Sequence, residues 1–238
     1  MNRIVYMVLR KFGRVPGAWF KLLHYAKHTD KYPLNEKFQH IRYIFKEAID
    51  GGNIDLEVYG TENIPEKDGF MMISNHQGLF DIMAIAAGCE KPWRAVLKKE
   101  LYEIPFMKQI VDCTYSYPMD REDLRQSMKV IQAVTKDLQN GDNFLIFPEG
   151  TRSKLGNKTI DFHSGTFKCA TKSKCDILPI ALIDCYKVLD QKGHKPVKVQ
   201  LHYLKPITYE EYKDMNTTEL ANLVRSRIDA TLEKYSEE

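Results

Sequence analysis

Two side chains that could share a proton lie five positions apart in residues 74–81, at His76 and Asp81. On one continuous helix they would point about 140° apart, so contact between them requires a bend, which Gly78 permits. The carboxylate would then fix the tautomer of the imidazole, and the second ring nitrogen would be placed to take a proton from a substrate hydroxyl. The alternative is structural: Asp81 caps a helix, and His76 is a loop histidine that bonds to the backbone.

A second segment with reactive side chains, residues 147–153, reads Phe-Pro-Glu-Gly-Thr-Arg-Ser. Gly150 allows backbone amides to approach a ligand, and Arg152 can bind a phosphate through two parallel hydrogen bonds. Together they indicate an anion site, although a simple turn with a solvated arginine would have the same composition. Arg121 is a second candidate phosphate ligand, and its alternative role is a surface ion pair with a neighbouring acidic residue.

Both segments follow predicted strands. Apolar runs of strand length are predicted at residues 54–59, 70–74, 93–97, 114–118, 143–147, 177–182 and 197–203. Helices are predicted at 82–87, 125–138 and 218–234, the last capped by Thr217 or Thr218. This alternation predicts an α/β fold with a mostly parallel sheet flanked by helices. Ligands of such sheets collect beyond the carboxyl ends of the strands, which is where both segments lie.

The N-terminal region differs from the rest in charge, because residues 1–50 carry ten Lys or Arg and only four Asp or Glu. In helical projection the arginines of its first segment share one side and the apolar residues fill the facing arc, namely Arg3, Arg10 and Arg14 against Ile4, Val5, Val8, Leu9 and Phe12. Such a helix can lie in a membrane interface, where each basic residue near an anionic leaflet adds about 1 kcal/mol. The alternative is that the apolar faces pack on the rest of the protein.

A third helix, near residues 34–48, is predicted to pack against protein and to end at Gly51 and Gly52. We therefore predict two parts: an N-terminal amphipathic helical motif that associates with membranes, at residues 1–50, and an α/β domain at residues 51–238.

The composition excludes several classes of protein. The 238 residues are 43% hydrophobic and 28% charged, as in ordinary globular proteins. No stretch approaches the roughly 18 apolar residues of a transmembrane helix, and the charges near the N-terminus argue against a signal peptide. The five cysteines cannot all pair and form no Cys-x-x-Cys motif, so we expect reduced thiols in a cytoplasmic protein without a zinc site.

Taken together, the motifs resemble those of the glycerolipid acyltransferase family, whose best known members are the 1-acyl-glycerol-3-phosphate acyltransferases. The resemblance rests on Asn75-His76-Gln77 with Asp81, followed about 70 residues later by the seven-residue block, and it covers about residues 60–182. Other matching segments are Lys98-Lys99-Glu100-Leu101, Asp120-Arg121 and Leu178-Pro179-Ile180.

The resemblance implies a role for each matching residue. It makes His76 the general base and Asp81 its orienting partner, and it places Lys98 near the thioester carbonyl or phosphate. It assigns Arg121, Glu149, Gly150 and Arg152 to the glycerol phosphate of the acceptor. Asn75 and Thr151 are expected to bind substrate as well. It gives Pro179 a part in shaping the acyl region.

The implied activity is transfer of a fatty acyl group from acyl-CoA or acyl carrier protein to the sn-2 hydroxyl of 1-acyl-glycerol 3-phosphate, which forms phosphatidate. No cofactor is expected besides the thioester co-substrate. The expected partners are lysophosphatidate, the acyl thioester and an anionic membrane surface, with no nucleic acid, and the expected location is the cytoplasmic face of a membrane. The alternatives are an acyltransferase for another acceptor, such as glycerol 3-phosphate or another lysophospholipid, and a non-catalytic lipid-binding module of the membrane surface.

Overall fold

A seven-stranded sheet organises the chain in the computed structural model, which describes residues 3–120, 122–190 and 193–235. The strands are β1 (Ile54–Tyr59), β2 (Met71–Ser74), β3 (Arg94–Lys98), β4 (Tyr117–Met119), β5 (Phe144–Ile146), β6 (Ile177–Ile183) and β7 (Val197–Tyr203). They lie in the order β1-β7-β6-β2-β5-β3-β4. Strands β2 to β6 run parallel, β7 is antiparallel to β6, and β1 is parallel to β7. The predicted α/β class with a mostly parallel sheet is confirmed.

This topology creates one edge at which the functional segments meet. The five parallel strands all end there, and β1 and β7 begin there because they run the opposite way. We call it the carboxyl edge. Strand β2, which leads to the histidine segment, is the central strand, with three strands on each side.

Helices cover both faces of the sheet. They are α1 (Arg3–Arg10), α2 (Val15–Lys27), α3 (Leu34–Gly51), α4 (Phe80–Gly88), α5 (Met107–Thr114), α6 (Leu124–Gln139), α7 (Lys168–Ser173), α8 (Tyr186–Leu189), α9 (Tyr209–Tyr212) and α10 (Thr217–Tyr235). Helices α1 to α5 and α8 contribute to the hydrophobic cluster on one face, and α6, α7, α9 and α10 contribute to the cluster on the other.

The strands are apolar throughout because both faces are buried. Met71 and Ile73 of β2 pack into the cluster that contains α6, while Met72 packs into the cluster that contains α4. All three side chains are 0% exposed. Successive side chains of a strand point to opposite faces, so a parallel sheet covered on both sides needs continuous apolar runs, as the sequence has.

Two local predictions are wrong. The fourth strand was predicted at residues 114–118, but α5 continues to Thr114, and Tyr115 turns the chain with a positive φ of 54° before β4 begins at Tyr117. The last helix is capped by Asn216, whose Oδ1 accepts from the amides of Thr218 and Glu219, rather than by a threonine. Both errors concern the ends of secondary-structure elements, where tertiary contacts decide the boundary.

Helix α1 turns its basic side toward the protein. Arg3 is buried, and its guanidinium donates to the carbonyls of Gly52 (2.8 Å) and Lys195 (3.0 Å). Burial lowers the pKa of this guanidinium. The apolar arc faces outward, with exposed fractions between 41% and 69% for Ile4, Val5, Val8, Leu9 and Phe12. These five side chains are therefore not part of the core, whereas Met7 of the same helix is buried.

Helices α2 and α3 do pack against protein. Leu22 of α2 and Phe38, Ile41 and Phe45 of α3 are buried in the same cluster as α4 and α5. Within the described residues, none of the helices has both the length and the apolarity needed to cross a membrane.

Candidate active site

His76 and Asp81 are in contact, as their spacing and the intervening glycine predict. The chain leaves β2 at Ser74, bends through the loop and enters α4, so that His76 Nδ1 lies 2.7 Å from Asp81 Oδ2. The same carboxylate oxygen accepts from the backbone amides of Gln77 (2.6 Å) and Gly78 (2.9 Å). Asp81 therefore both orders the loop at the start of α4 and holds the imidazole in one orientation.

The pair is electrostatically asymmetric. The Asp81 side chain is fully buried, whereas that of His76 is 21% exposed. Burial raises the pKa of the Asp81 carboxyl, and the hydrogen bonds from His76, Gly78 and Gln77 oppose that rise. With Nδ1 occupied by the carboxylate, Nε2 is the nitrogen left for a substrate. The carboxylate is placed to stabilise the positive charge that the ring acquires when it accepts a proton.

The segment after β5 holds the histidine from the other side. Glu149 Oε1 accepts from the backbone amide of His76 (2.8 Å), and the amide of Ser153 donates to the carbonyl of His76 (2.9 Å). The Phe147 ring stacks on the imidazole with 4.3 Å between ring centroids. The two motifs meet because β2 and β5 are neighbours and end at the same edge.

Glu149, which the resemblance assigns to the acceptor, is buried and bonds to backbone amides through both carboxylate oxygens. Its second oxygen, Oε2, accepts from the amide of Ile160 (3.1 Å), and the residue is 1% exposed. Burial raises the pKa of this carboxyl. Because both oxygens are bonded to backbone, they are not available to a substrate.

Asn75 is also buried, and its side-chain amide bonds to the backbone. Its Nδ2 donates to the carbonyl of Leu182 (2.9 Å), and its Oδ1 accepts from the amide of the same residue (2.8 Å). The side chain thus extends the pairing of β2 with β6 beyond the end of β2, and it fixes the point from which His76 projects.

Pro179, which the resemblance assigns to the acyl region, lies inside the sheet. It is buried in β6 in register with Ile73 of β2, and its carbonyl accepts from the amide of Leu204 (2.9 Å). The residues that line the apolar cavity described below do not include it.

Arg152 lines a small polar cavity of about 360 Å³ next to the histidine loop. The lining residues are Gln77, Arg152, Ser153, Lys154, Gly156, Tyr186 and Asp190. Arg152 Nη1 lies 3.5 Å from Asp190 Oδ1, and both side chains are 41% exposed. Gly150 has a positive φ of 68°, the conformation that favours glycine, and Thr151 is exposed. The guanidinium is therefore accessible to an anion, as predicted.

Sequence reasoning missed several residues of this cavity. Gln77 is buried and donates to Asn157 Oδ1 (2.8 Å), which joins the histidine loop to the cavity wall. Tyr186 and Asp190 follow the carboxyl end of β6. The rule that ligands collect beyond the ends of parallel strands would have pointed to them, had it been applied to β6.

Lys98 lies on the far side of β5 from the histidine loop. Lys98 ends β3, two strands from β2, or about 10 Å at the usual spacing between strands. Its side chain is 58% exposed, and Nζ lies 3.2 Å from Glu100 Oε1. Arg121, which follows β4, lies outside the described residues.

A second, apolar cavity of about 410 Å³ lies between α1, α2 and α3. Its wall includes Met83 of α4 and Leu189 of α8, and Ile4 and Val8 of α1 line it as well. Met83 is two residues from Asp81, so the cavity adjoins the helix that carries this carboxylate. Its size lies within the roughly 300–1,000 Å³ of typical small-molecule sites.

Comparisons with known proteins match the part of the chain that holds this site to acyltransferases. Residues 55–183, from β1 to the end of β6, match a protein-family model described as Acyltransferase. The chain is 30% identical to a 1-acyl-sn-glycerol-3-phosphate acyltransferase of Helicobacter pylori, over 68% of this chain and 71% of the relative. It is 27% identical to the protein of that name in Saccharomyces cerevisiae, over 76% of this chain and 61% of the relative.

The fold is also that of a solved structure. The crystal structure of the 1-acyl-sn-glycerophosphate (LPA) acyltransferase PlsC from Thermotoga maritima superposes with a TM-score of 0.79 and 22% sequence identity. The match covers 99% of this chain and 98% of the other, so it includes the N-terminal helices as well as the sheet.

Proposed function

This chain belongs to the acyltransferase family, and we propose that it transfers a fatty acyl group to the sn-2 hydroxyl of 1-acyl-glycerol 3-phosphate, forming phosphatidate. The donor is a thioester of coenzyme A or of acyl carrier protein. The observation that carries the proposal is a partly exposed imidazole, held by a buried carboxylate, beside a cavity that contains an accessible arginine. The names of the relatives support this acceptor.

The proposed chemistry uses His76 as a general base. Nε2 takes the proton of the acceptor hydroxyl while the hydroxyl oxygen bonds to the thioester carbonyl carbon. The tetrahedral intermediate then collapses, the carbon–sulfur bond breaks, and the imidazolium returns its proton to the leaving thiolate. Asp81 stabilises the imidazolium between these two steps.

The proposed phosphate site is the Arg152 cavity. The guanidinium has one contact with an acidic side chain there, Asp190 at 3.5 Å, which a phosphate can displace. Lys154 lines the same cavity and adds a second positive charge. The phosphate does not react, so its role is to orient the glycerol hydroxyl against Nε2.

The proposed place of the acyl chain is the apolar cavity between α1, α2 and α3. The outward arc of α1 contributes Ile4 and Val8 to that cavity, so a chain could pass from a bilayer into it along one apolar surface. We propose that this arc lies among the acyl chains of an anionic leaflet on the cytoplasmic side of a membrane. The net positive charge of residues 1–50 supports this orientation.

The test is a panel of acceptors assayed with purified protein and one labelled acyl thioester. We expect labelled phosphatidate from lysophosphatidate, and little product from glycerol 3-phosphate or from lysophospholipids with larger headgroups. Product from one of those acceptors without phosphatidate would refute the substrate and keep the enzyme class. Lipid binding without transfer to any acceptor would identify a non-catalytic module.

A further inference from the structure

The α/β part of the chain has exposed aliphatic side chains in a restricted place. Within the described residues from 54 to 235, the exposed large aliphatic side chains are those of Leu79, Ile104, Leu124, Met128 and Leu155. Each belongs to the segment that follows a parallel strand. Leu79 follows β2, Ile104 follows β3, Leu124 and Met128 follow β4, and Leu155 follows β5. They therefore share the carboxyl edge with the catalytic histidine.

Helix α1 lies at this same edge. Its buried arginine bonds to the carbonyls of Gly52 and Lys195, which precede β1 and β7. Those two strands begin at the carboxyl edge because they run opposite to the other five. The outward apolar arc of α1 and the exposed aliphatic residues of the α/β part thus lie at one edge of the molecule.

The first turn of α6 carries the two most exposed of these aliphatic residues. Leu124 is 76% exposed and Met128 is 63% exposed, and their spacing of four places them on one side of the helix. Arg125 and Lys129, the next residue in each case, are exposed beside them. Aliphatic and basic side chains on adjacent strips of a helix are complementary to an anionic lipid surface.

This turn is held so that its aliphatic side chains cannot fold inward. Asp123 caps it, since Oδ1 accepts from the amides of Arg125 (2.9 Å) and Gln126 (3.0 Å). Gln126 Nε2 donates to the carbonyl of Pro118 (3.0 Å), and Ser127 Oγ donates to that of Asp120 (2.8 Å). The inner face of the turn is thereby bonded to the end of β4, and the acidic cap is engaged with the helix.

We propose that the first turn of α6 is a second membrane contact, in which Leu124 and Met128 insert into an anionic leaflet and Arg125 and Lys129 bind lipid phosphates. The inference rests on the proposed function, because it assumes an acceptor that resides in a bilayer. It assigns this surface to the membrane and not to a protein donor.

The position of the two contacts gives them a joint purpose. Helix α1 lies toward the β1 end of the sheet and α6 follows β4 at the opposite end, with the histidine loop on the central strand between them. Six inter-strand spacings separate the outer strands, or about 29 Å. One anchor would let the domain swivel on the membrane, whereas two anchors on either side hold the catalytic loop against the leaflet.

The experiment is vesicle sedimentation of the full chain carrying both Leu124→Ser and Met128→Ser, with vesicles of phosphatidylcholine and phosphatidylglycerol. We expect the partition coefficient to fall about tenfold, since two partly inserted apolar side chains are lost. Tyr59→Ser is the matched control, because Tyr59 is 45% exposed at the end of β1, on the opposite edge of the sheet. We expect its partition coefficient to equal that of the wild type.

Two further measurements keep the test decisive. Turnover of a short-chain lysophosphatidate dissolved in water should stay at the wild-type rate in the double variant, while turnover of lysophosphatidate in vesicles falls. If turnover of the water-soluble substrate also falls, the double variant is misfolded. The test is then made with a variant that carries both Arg125→Gln and Lys129→Gln. That pair should weaken binding to anionic vesicles only, and unchanged binding to them would overturn the proposal.

Other results would also overturn it. Unchanged partitioning of the folded double variant excludes the membrane contact, and a raised KM for acyl carrier protein thioesters with unchanged vesicle binding would identify a protein-docking surface. Partitioning is measured without turnover, so it can succeed even where wild-type protein makes no phosphatidate. In that case the proposed function fails and the membrane contact stands.

Discussion

The histidine loop and the arginine cavity lie side by side, but His76 is held by more contacts than Arg152. The backbone of His76 is bonded at both its amide and its carbonyl, and the ring is bonded through Nδ1 and stacked on Phe147. Arg152 has a side chain that is 41% exposed, and its contact with Asp190 is long, at 3.5 Å. One group is fixed by several contacts at once, and the other is free to move.

The chemistry proposed for the two groups accounts for the difference. A general base must lie within about 3 Å of the proton it removes, so an error of 1 Å in its position costs rate. A phosphate that does not react needs only a positive charge within reach, and the guanidinium can adjust to it. The predictions below probe this contrast, beginning with the largest expected effect.

Replacing His76 with alanine removes the proton acceptor. We expect kcat to fall by about 10³-fold or more, while binding of lysophosphatidate in vesicles stays close to that of the wild type. Single-turnover kinetics beside an equilibrium binding measurement would check both parts. A variant that turns over at the wild-type rate would exclude His76 from the mechanism.

Replacing Glu149 with glutamine tests whether this residue positions the histidine or binds the acceptor. Glutamine has one acceptor oxygen for two backbone amides, so one amide loses its partner, at a cost of about 1–3 kcal/mol in the free energy of unfolding. We expect kcat to fall about 10- to 100-fold, because the histidine loop loosens, with little change in acceptor KM.

Thermal unfolding and steady-state kinetics on the same preparation would separate the two roles of Glu149. The result that contradicts a positioning role is a large rise in acceptor KM at unchanged kcat and unchanged stability.

Replacing Arg152 with alanine should give the opposite pattern. The variant loses a charge-assisted hydrogen bond to the phosphate, so we expect acceptor KM to rise about tenfold and the KM for the thioester to stay constant. Arg225→Ala is a suitable control, since Arg225 is another partly exposed arginine and pairs with Asp161 away from the cavity. A rise confined to the thioester KM would move the phosphate site elsewhere.

The contrast between the two regions also marks what the sequence could predict. The His76–Asp81 contact followed from a spacing, a glycine and the end of a strand, all of which are local. The strands β1 and β7 matched their predicted residues 54–59 and 197–203, because buried strands are continuous apolar runs bounded by turn residues.

Contacts between distant residues were beyond that reasoning. The partners of Glu149 are the amides of His76 and Ile160, and Arg152 meets Asp190 across 38 positions, so no local pattern reports them. A carboxylate is the same residue in the sequence whether it binds a ligand or a backbone amide. Only its burial in the structure distinguishes the two roles. The same holds for α1. Its two faces could be predicted from a helical projection, but the carbonyls that bind Arg3 could not.

The smallest predicted effect concerns Asp190, whose carboxylate contacts the guanidinium of Arg152. The acceptor and the product carry the same phosphate, so any contact with it stabilises substrate, transition state and product alike. Asp190→Asn removes a partly exposed competitor, and we expect acceptor KM to fall about two- to fivefold.

Inhibition by phosphatidate should strengthen by the same factor as KM falls, because the product binds through the same phosphate. Asp161→Asn, at a side chain that is 98% exposed and paired with Arg225, is the matched control and should change neither constant. If KM rises instead, Asp190 aims Arg152 at the phosphate, and the arginine cavity would then be held as firmly as the histidine loop. The exposure of both partners argues for competition. A residue that orients another side chain must itself be fixed in position. Nothing in the described contacts of Asp190 packs it as Phe147 packs His76.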